Sequence, residues 1–489
     1  MADVKELQRL SSGVPGLDVV LAGGFFETGV YIVEGPAGAG KTMLANQICF
    51  HQAAQRRRAV YYTLLTESHD RMVGFLRNLR FFDPSVIPQL LTYVSGFKVL
   101  EAEGLPGVVR SVRDIVSAQT TTVLVIDGLV SAEETAPNDT VFKKFLHELQ
   151  AIAAMFRCTV ILLTNLEATV RRQAEHTMVD GIIQLGASVV RLKPQRSLTV
   201  AKFRGAGQVR GSHTLSLTDR GVIVRPRIET LLPSFPLESP AIGDSARRAF
   251  NTATLDAMIG GGIPADSNTM VMGPSGTGKT ILGIQFLAGG LAAGEKVLLF
   301  TFYESIPELI AKAARLGIDL SKAHESGQLQ TVWQSSVEAS VDEIGSALLA
   351  TFDKHHPTRI FIDSMQGFQV TADPEERIQD FFAAISAYIV GAGGTMMFST
   401  ETADLLGQSA IRVPFPNASR MCQNIFLLRH SELGGRVRKV FSVFKMRDSD
   451  FDSTVREMVI GNGGIQIGAP ILEADQLLSG QPLRVPTVD

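Results

Sequence analysis

"GPAGAGKT" at residues 35–42 and "GPSGTGKT" at residues 273–280 write the same eight-residue pattern twice in one chain of 489 residues. The pattern G-x-x-x-x-G-K-[ST] places glycines where successive backbone N–H groups curl round phosphate oxygens at the start of a helix. In such a loop Lys41 and Lys279 reach the β and γ phosphates, and Thr42 and Thr280 offer hydroxyls to Mg²⁺. ATP and Mg²⁺ are therefore the expected ligands. The expected binding residues are Gly35, Gly38, Ala39, Gly40, Lys41 and Thr42, and in the second copy Gly273, Gly276, Thr277, Gly278, Lys279 and Thr280. With glycine at about 7% of ordinary sequence, one such match arises by chance now and then; two, each between a strand-like run and a helix-like run, do not.

Outward from the loops the repetition continues at nearly constant spacing. Lys41 and Lys279 are 238 positions apart, as are Asp18 in "GLDVVLAGG" (16–24) and Asp256 in "TLDAMIGGG" (254–262). Glu67 in "YYTLLTES" answers Glu304 in "LFTFYES", and Asp127 in "TTVLVIDG" answers Asp363 in "TRIFIDS". Near each end, "AKFRG" (201–205) answers "FKMRD" (444–448). A duplicated domain is the economical explanation. Between the copies "RPRIETLLPSFPLESPAIGDSARR" (225–248) carries four prolines, which cannot continue a helix or ladder interior. The expected organisation is a first domain at 1–228, a linker at 229–246, a second domain at 247–475 and a short tail at 476–489.

The fold class is legible in the runs between the motifs. "VYIVEG" (30–35), "VLVID" (123–127), "TVILLTN" (159–165), "VLLFTFY" (297–303) and "TMMFST" (395–400) are short and almost wholly apolar, as strands buried on both faces are. Helical segments such as "KTMLANQICFHQ" (41–52) lie between them. The prediction is α/β: two tandem domains, each a mainly parallel sheet flanked by helices. "SVVRLKPQRSLTVAKF" (188–203) and "IFLLRHSELGGRVRKVFSVFK" (425–445) each predict a terminal antiparallel hairpin on the sheet edge.

The strand ends place the remaining chemistry. Asp127 and Asp363 each close an apolar strand, where a carboxylate reaches a Mg²⁺-bound water. Glu67 and Glu304 close the neighbouring strand, where a carboxylate orients the water that attacks the γ-phosphate.

Composition bounds the rest. The chain is 45% apolar and 19% charged, with a formal net charge of −3, so it buries sizeable cores and carries no bulk basic field for nucleic acid or anionic lipid. Its three cysteines, Cys49, Cys158 and Cys422, have no paired spacing. "MADVKELQRL" lacks a signal-peptide core, and no long uncharged apolar run occurs. A cytoplasmic protein with no membrane partner is expected.

The order of loop, strand-end Glu, strand-end Asp and terminal hairpin resembles RecA-like ATPases. With the duplication and the "KFRG" and "VFKMR" segments, the chain resembles the KaiC family of double-domain RecA-type ATPases over residues 8–485. The resemblance implies a homo-oligomeric, hexameric double ring with ATP between subunits, ATP hydrolysis, Ser/Thr autokinase activity in the second domain, and a signalling-protein partner that the residues do not name. It also implies that hairpin residues Lys202 and Arg204 in one ring, and Lys445 and Arg447 in the other, reach the neighbouring subunit's nucleotide. The family carries a Glu-Glu pair at the strand end, whereas this chain has Thr66-Glu67 and Tyr303-Glu304. The family's adjacent Ser-Thr acceptors align with Ser419-Arg420, which leaves Ser419 as the one phosphoacceptor. The chain stops at "LSGQPLRVPTVD" (478–489), so KaiA-type binding through a longer tail is not expected.

Two other classes compete: a DNA-acting RecA-like motor, and an ATP-sensing scaffold with vestigial hydrolysis. Against the motor stand the near-neutral charge, the 7% aromatic content and the absence of a recognisable DNA-binding module. Its densest basic run, "QRRRAV" (55–60), reads as a solvated turn.

Overall fold

The structure is a computed structural model that describes residues 8–66, 69–165, 177–190, 193–232, 246–337, 339–372, 374–402, 421–433, 435–447 and 449–471. Four expectations fall outside these residues: Glu67, Ser419, most of the linker and the 476–489 tail. The chain divides into two compact units, residues 1–231 and 232–489. At the end of the first, Ile228–Leu231 form a helical turn with Ile228 buried.

The first unit is built on nine strands: β1 (Val30–Gly35), β2 (Arg58–Thr63), β3 (Leu91–Ser95), β4 (Thr121–Asp127), β5 (Thr159–Asn165), β6 (Gly181–Val190), β7 (Lys193–Phe203), β8 (Ser212–Thr218) and β9 (Gly221–Arg225). They lie in the order β3-β2-β4-β5-β1-β6-β7-β8-β9. The six strands from β3 to β6 are parallel, and β7, β8 and β9 follow antiparallel. The second unit repeats this with β10 (Asn268–Gly273), β11 (Val297–Thr301), β12 (Leu329–Trp333), β13 (Arg359–Asp363), β14 (Thr395–Glu401), β15 (Asn424–Leu433), β16 (Arg436–Met446), β17 (Arg456–Gly461) and β18 (Gly464–Pro470). Their order, β12-β11-β13-β14-β10-β15-β16-β17-β18, is the first unit's order strand for strand.

Alternation along the parallel strands explains the apolar runs. Tyr31, Val33, Ala59, Tyr61, Val123, Val125, Ile161 and Leu163 pack on one face, against the helix Lys41–Ala54. Ile32, Val60, Tyr62, Leu124, Ile126, Val160 and Leu162 pack on the other, against the helices Phe97–Gln119 and Asp139–Phe156. With both faces covered, neither parity can be polar, and period-2 alternation disappears. The basic run at 55–58 is exposed, an outward turn at 55–57 leading into Arg58 at the start of β2.

Two differences from the sequence expectation stand out. The sheet edge carries two hairpins rather than one, because β8–β9 and β17–β18 add a second. The helices Val341–His355 and Arg377–Gly391 also share a buried ion pair in which Arg377 donates twice to Asp342, whose side chain is fully enclosed. Removing one partner strands a buried charge, so Asp342→Ala should destabilise the second unit by about 3–5 kcal/mol. Its denaturant midpoint, compared with the parent's, checks this. Among the described residues no helix is long and apolar enough to cross a membrane, and all three cysteines are buried and unpaired.

Candidate functional site

In each unit the glycine-rich loop joins the central strand to a helix: β1 runs to Gly35 and the helix Lys41–Ala54 begins six residues on, while β10 runs to Gly273 and its helix is Lys279–Ala292. Neither helix has a side-chain cap on its first turn. Its leading N–H groups therefore face the loop as donors for an anion. Gly40 and Gly278 start the helices at φ 103° and 105°, a backbone that favours glycine. A β-carbon at Gly40 would stand 2.8 Å from Leu217 Cδ2 of β8, and one at Gly278 would stand 2.6 Å from Ile460 Cδ1 of β17. Side chains of the second hairpins thus pack closely on the loops, and a β-carbon there would make Leu217 or Ile460 shift.

Lys41 donates to the Gly35 and Pro36 carbonyls at 2.7 and 3.0 Å, and Lys279 to those of Gly273 and Pro274 at 2.8 Å each. Each ammonium is thereby held over the mouth of its own loop. Burial pulls both lysines below their ordinary pKa, opposed by Asp127 at Lys41 and by Glu401 and Asp363 at Lys279. Buried Thr277 closes its loop by donating to Pro274 at 2.8 Å; the first loop has Ala39, also buried, at that place.

The strand-end aspartates come to the same mouth. Thr280 donates to Asp363 Oδ2 at 2.8 Å, and Ser399 donates to Oδ1 at 2.5 Å. Burial pushes the Asp363 carboxyl up, the two hydroxyls pull it down, and Glu304 adds to the rise. In the first unit the Tyr61 phenol donates to Asp127 Oδ2 at 2.5 Å, and Thr42 acts to lower the pKa of that same phenol. Burial and Asp127 together raise the Tyr61 pKa far above its ordinary value, so it stays a donor.

These donors are all oxygens, which suits Mg²⁺, an ion that keeps several waters and takes one or two protein oxygens beside phosphates. Among the described residues no cluster of three or more His, Cys, Asp or Glu could hold a metal by itself. The residues therefore fit a metal carried in with phosphates rather than one held in a protein cage.

Glu304 lies three residues beyond the end of β11 and pairs with Lys312. Glu401, at the end of β14, has no place in the motif reading, yet its charge acts on both Lys279 and Tyr303. At the matching register the first unit has Asn165, since Gly35 pairs with Asn165 as Gly273 pairs with Glu401.

The hairpin cations sit elsewhere. Lys202 is level with Ile182 and so with Ile32, and Lys445 with Ile425 and Met270, each three residues before the loop's first glycine. Arg204 is level with the start of β1 and Arg447 with the start of β10. At about 3.3 Å per residue, all four lie some 10 Å or more from their own loops along the strands. Lys202 and Arg204 both donate to the Thr177 carbonyl, and Lys445 donates to that of Cys422. The opposite end of each hairpin overhangs the loop instead: Arg196 donates to Gly38 O at 3.3 Å, and His430 Nε2 lies 3.3 Å from Ser275 O. The motifs did not single out either residue.

Comparison with known proteins gives the same division. A family model described as the KaiC ATPase matches residues 10–229 and again 251–471. The circadian clock oscillator protein KaiC of Picosynechococcus sp. is 23% identical over 99% of this chain and 94% of its own length. The circadian clock protein KaiC3 of Synechocystis sp. is 24% identical over 98% of this chain and 95% of its own. KaiC of Synechococcus elongatus is 22% identical over 99% and 93% respectively. With the doubled loop, the repeated strand order and both halves matched by one family model, this chain belongs to the KaiC ATPase family.

Proposed function

We propose that each unit binds ATP with Mg²⁺ and hydrolyses it slowly, in a ring-forming signalling protein of KaiC type whose expected form is a hexamer. The observation that carries this reading is the doubled loop, with the helix-start threonine and strand-end aspartate of the second unit joined in the Thr280 to Asp363 bond. Backbone N–H groups of the loop and Lys41 or Lys279 would hold the β and γ phosphates, with Mg²⁺ supplying charge neutralisation between them. Thr42 and Thr280 would give hydroxyls to that ion, and Asp127 and Asp363 would take hydrogen bonds from its waters. Glu67 and Glu304 would orient the attacking water; Glu304 must exchange its Lys312 partner for that task.

The placement of Lys202, Arg204, Lys445 and Arg447 supports service in trans, because a cation some 10 Å or more from its own loop has a use at a neighbour's nucleotide. The second unit's further activity would be slow autophosphorylation at Ser419. The protein is proposed to act in the cytoplasm with a signalling-protein partner and without nucleic acid.

Incubation with γ-labelled ATP and Mg²⁺ tests this, following released phosphate and label kept on the protein. Release should dominate, with at most one phosphate retained per chain and lost in Ser419→Ala. No release would leave the scaffold reading in its place.

A further inference from the structure

The two strand-end aspartates are held by buried hydroxyls from opposite sides. β4 lies between β2 and β5, and β13 between β11 and β14. Asp127 is bonded from β2, by Tyr61; Asp363 is bonded from β14, by Ser399. Thr63 pairs with Asp127 as Thr301 pairs with Asp363, which makes Leu299 the counterpart of Tyr61. Asp127 pairs with Leu163, and Ile362 pairs with Phe398, which makes Leu163 the counterpart of Ser399. Neither unit has the other's hydroxyl.

A buried phenol needs some acceptor, and core filling alone would account for the ring. Leucine fills the equivalent place in the second unit, however, so the packing there does not call for tyrosine. A second phenol leads to the same spot. Tyr93, whose ring lies 5.6 Å from that of Tyr61, donates to Asn46 Oδ1, and Asn46 donates to the Thr42 carbonyl at 2.8 Å. The counterparts of Tyr93 and Asn46 are Thr331, across from Leu299, and Ile284, 238 positions on. The first unit thus carries a layer of polar groups, with Tyr61 and Asn46 buried, that ends on Asp127 and Thr42, and the second unit has apolar or short side chains there.

We propose that Tyr61 is the positioning residue for the divalent metal at the first unit's nucleotide site, so that the two units hold the metal through different supports and with different affinities. By donating to Asp127 Oδ2 the phenol fixes the carboxylate plane. The inference rests on the reading of Asp127 as the metal-side carboxylate. Groups that orient a ligand in this way change metal affinity by roughly 10- to 100-fold when removed.

The test uses the full chain carrying Lys279→Ala, with a non-hydrolysable ATP analogue, and follows Mn²⁺ occupancy by electron paramagnetic resonance. Tyr61→Phe should raise the half-saturating Mn²⁺ concentration about tenfold while leaving metal-free nucleotide affinity unchanged. Adding Leu163→Ser, which lends the first unit the second unit's support, should bring the value back toward the parent. Ser399→Ala in a Lys41→Ala chain should loosen the second site's Mn²⁺ by a similar factor; this arm does not depend on Tyr61→Phe folding. An unchanged Mn²⁺ midpoint in Tyr61→Phe while Asp127→Asn shifts it would overturn the role of Tyr61 alone. An unchanged midpoint in Asp127→Asn would overturn the metal-side reading of Asp127, and this proposal with it.

Discussion

Lys279→Ala should lower phosphate release from the second unit by about 10²–10³-fold, the loss typical when one preorganised charge is withdrawn from a developing anion. The lysine's ammonium is held at the loop by the Gly273 and Pro274 carbonyls. Lys41→Ala should do the same to the first unit, through the same two contacts with Gly35 and Pro36. Each single variant should keep the other unit's turnover. The double variant should release almost no phosphate, and full activity in that chain would end the hydrolysis reading. Steady-state phosphate release for the four chains is the measurement.

Lys445→Ala with Arg447→Ala should silence the second unit as thoroughly as Lys279→Ala, although both residues lie well away from its own loop. A cation that completes a neighbour's site is worth roughly 10³–10⁵ in rate where it has been removed. Mixing separates action in trans from a fault within the chain. Both variants are made in a Lys41→Ala background, so that only second-unit turnover is read. Each is then inactive alone, one lacking the hairpin cations and the other the loop lysine. Subunits mixed without nucleotide and assembled with ATP should form interfaces that join an intact loop to an intact hairpin. In a random one-to-one mixture that combination arises at half of a half, about a quarter of interfaces, if the ring closes head to tail. About a quarter of the parent rate should return. Light scattering should confirm the same ATP-dependent hexamer in every sample. No recovery in mixed hexamers would remove Lys445 and Arg447 from the neighbour's site, and by repetition Lys202 and Arg204 as well.

How far the sequence reached depends on how local each feature is. The loops were legible because the work of their glycines is local: φ near +100° at Gly40 and Gly278 is a property of one residue. The parallel strands were legible because a strand covered on both faces has no polar parity, which composition alone reveals. The first hairpins were legible from a turn between two β-branched runs. The second hairpins were not, because segments such as "SHTLSLT" and "GVIVR" are partly buried and their pattern is weak, and the approach of Leu217 to Gly40 and of Ile460 to Gly278 joins residues far apart in the chain.

By itself the sequence determined the duplication, the two nucleotide loops, the α/β class and the strand-end aspartates, all of which follow from short-range backbone rules applied twice. Only the tertiary structure decided what supports those aspartates. Tyr61 and Asp127 are 66 residues apart, Ser399 and Asp363 are 36 apart, and each pair meets because its strands are neighbours in the sheet. Sequence separation does not encode that order, and a hydroxyl on an apolar strand face looks the same whether it ends on a carboxylate or on a backbone carbonyl. The same holds for the hairpin cations. Their chemical type was legible, but their distance from their own loops emerges from register, which is set by pairing along the whole sheet rather than by the residues themselves.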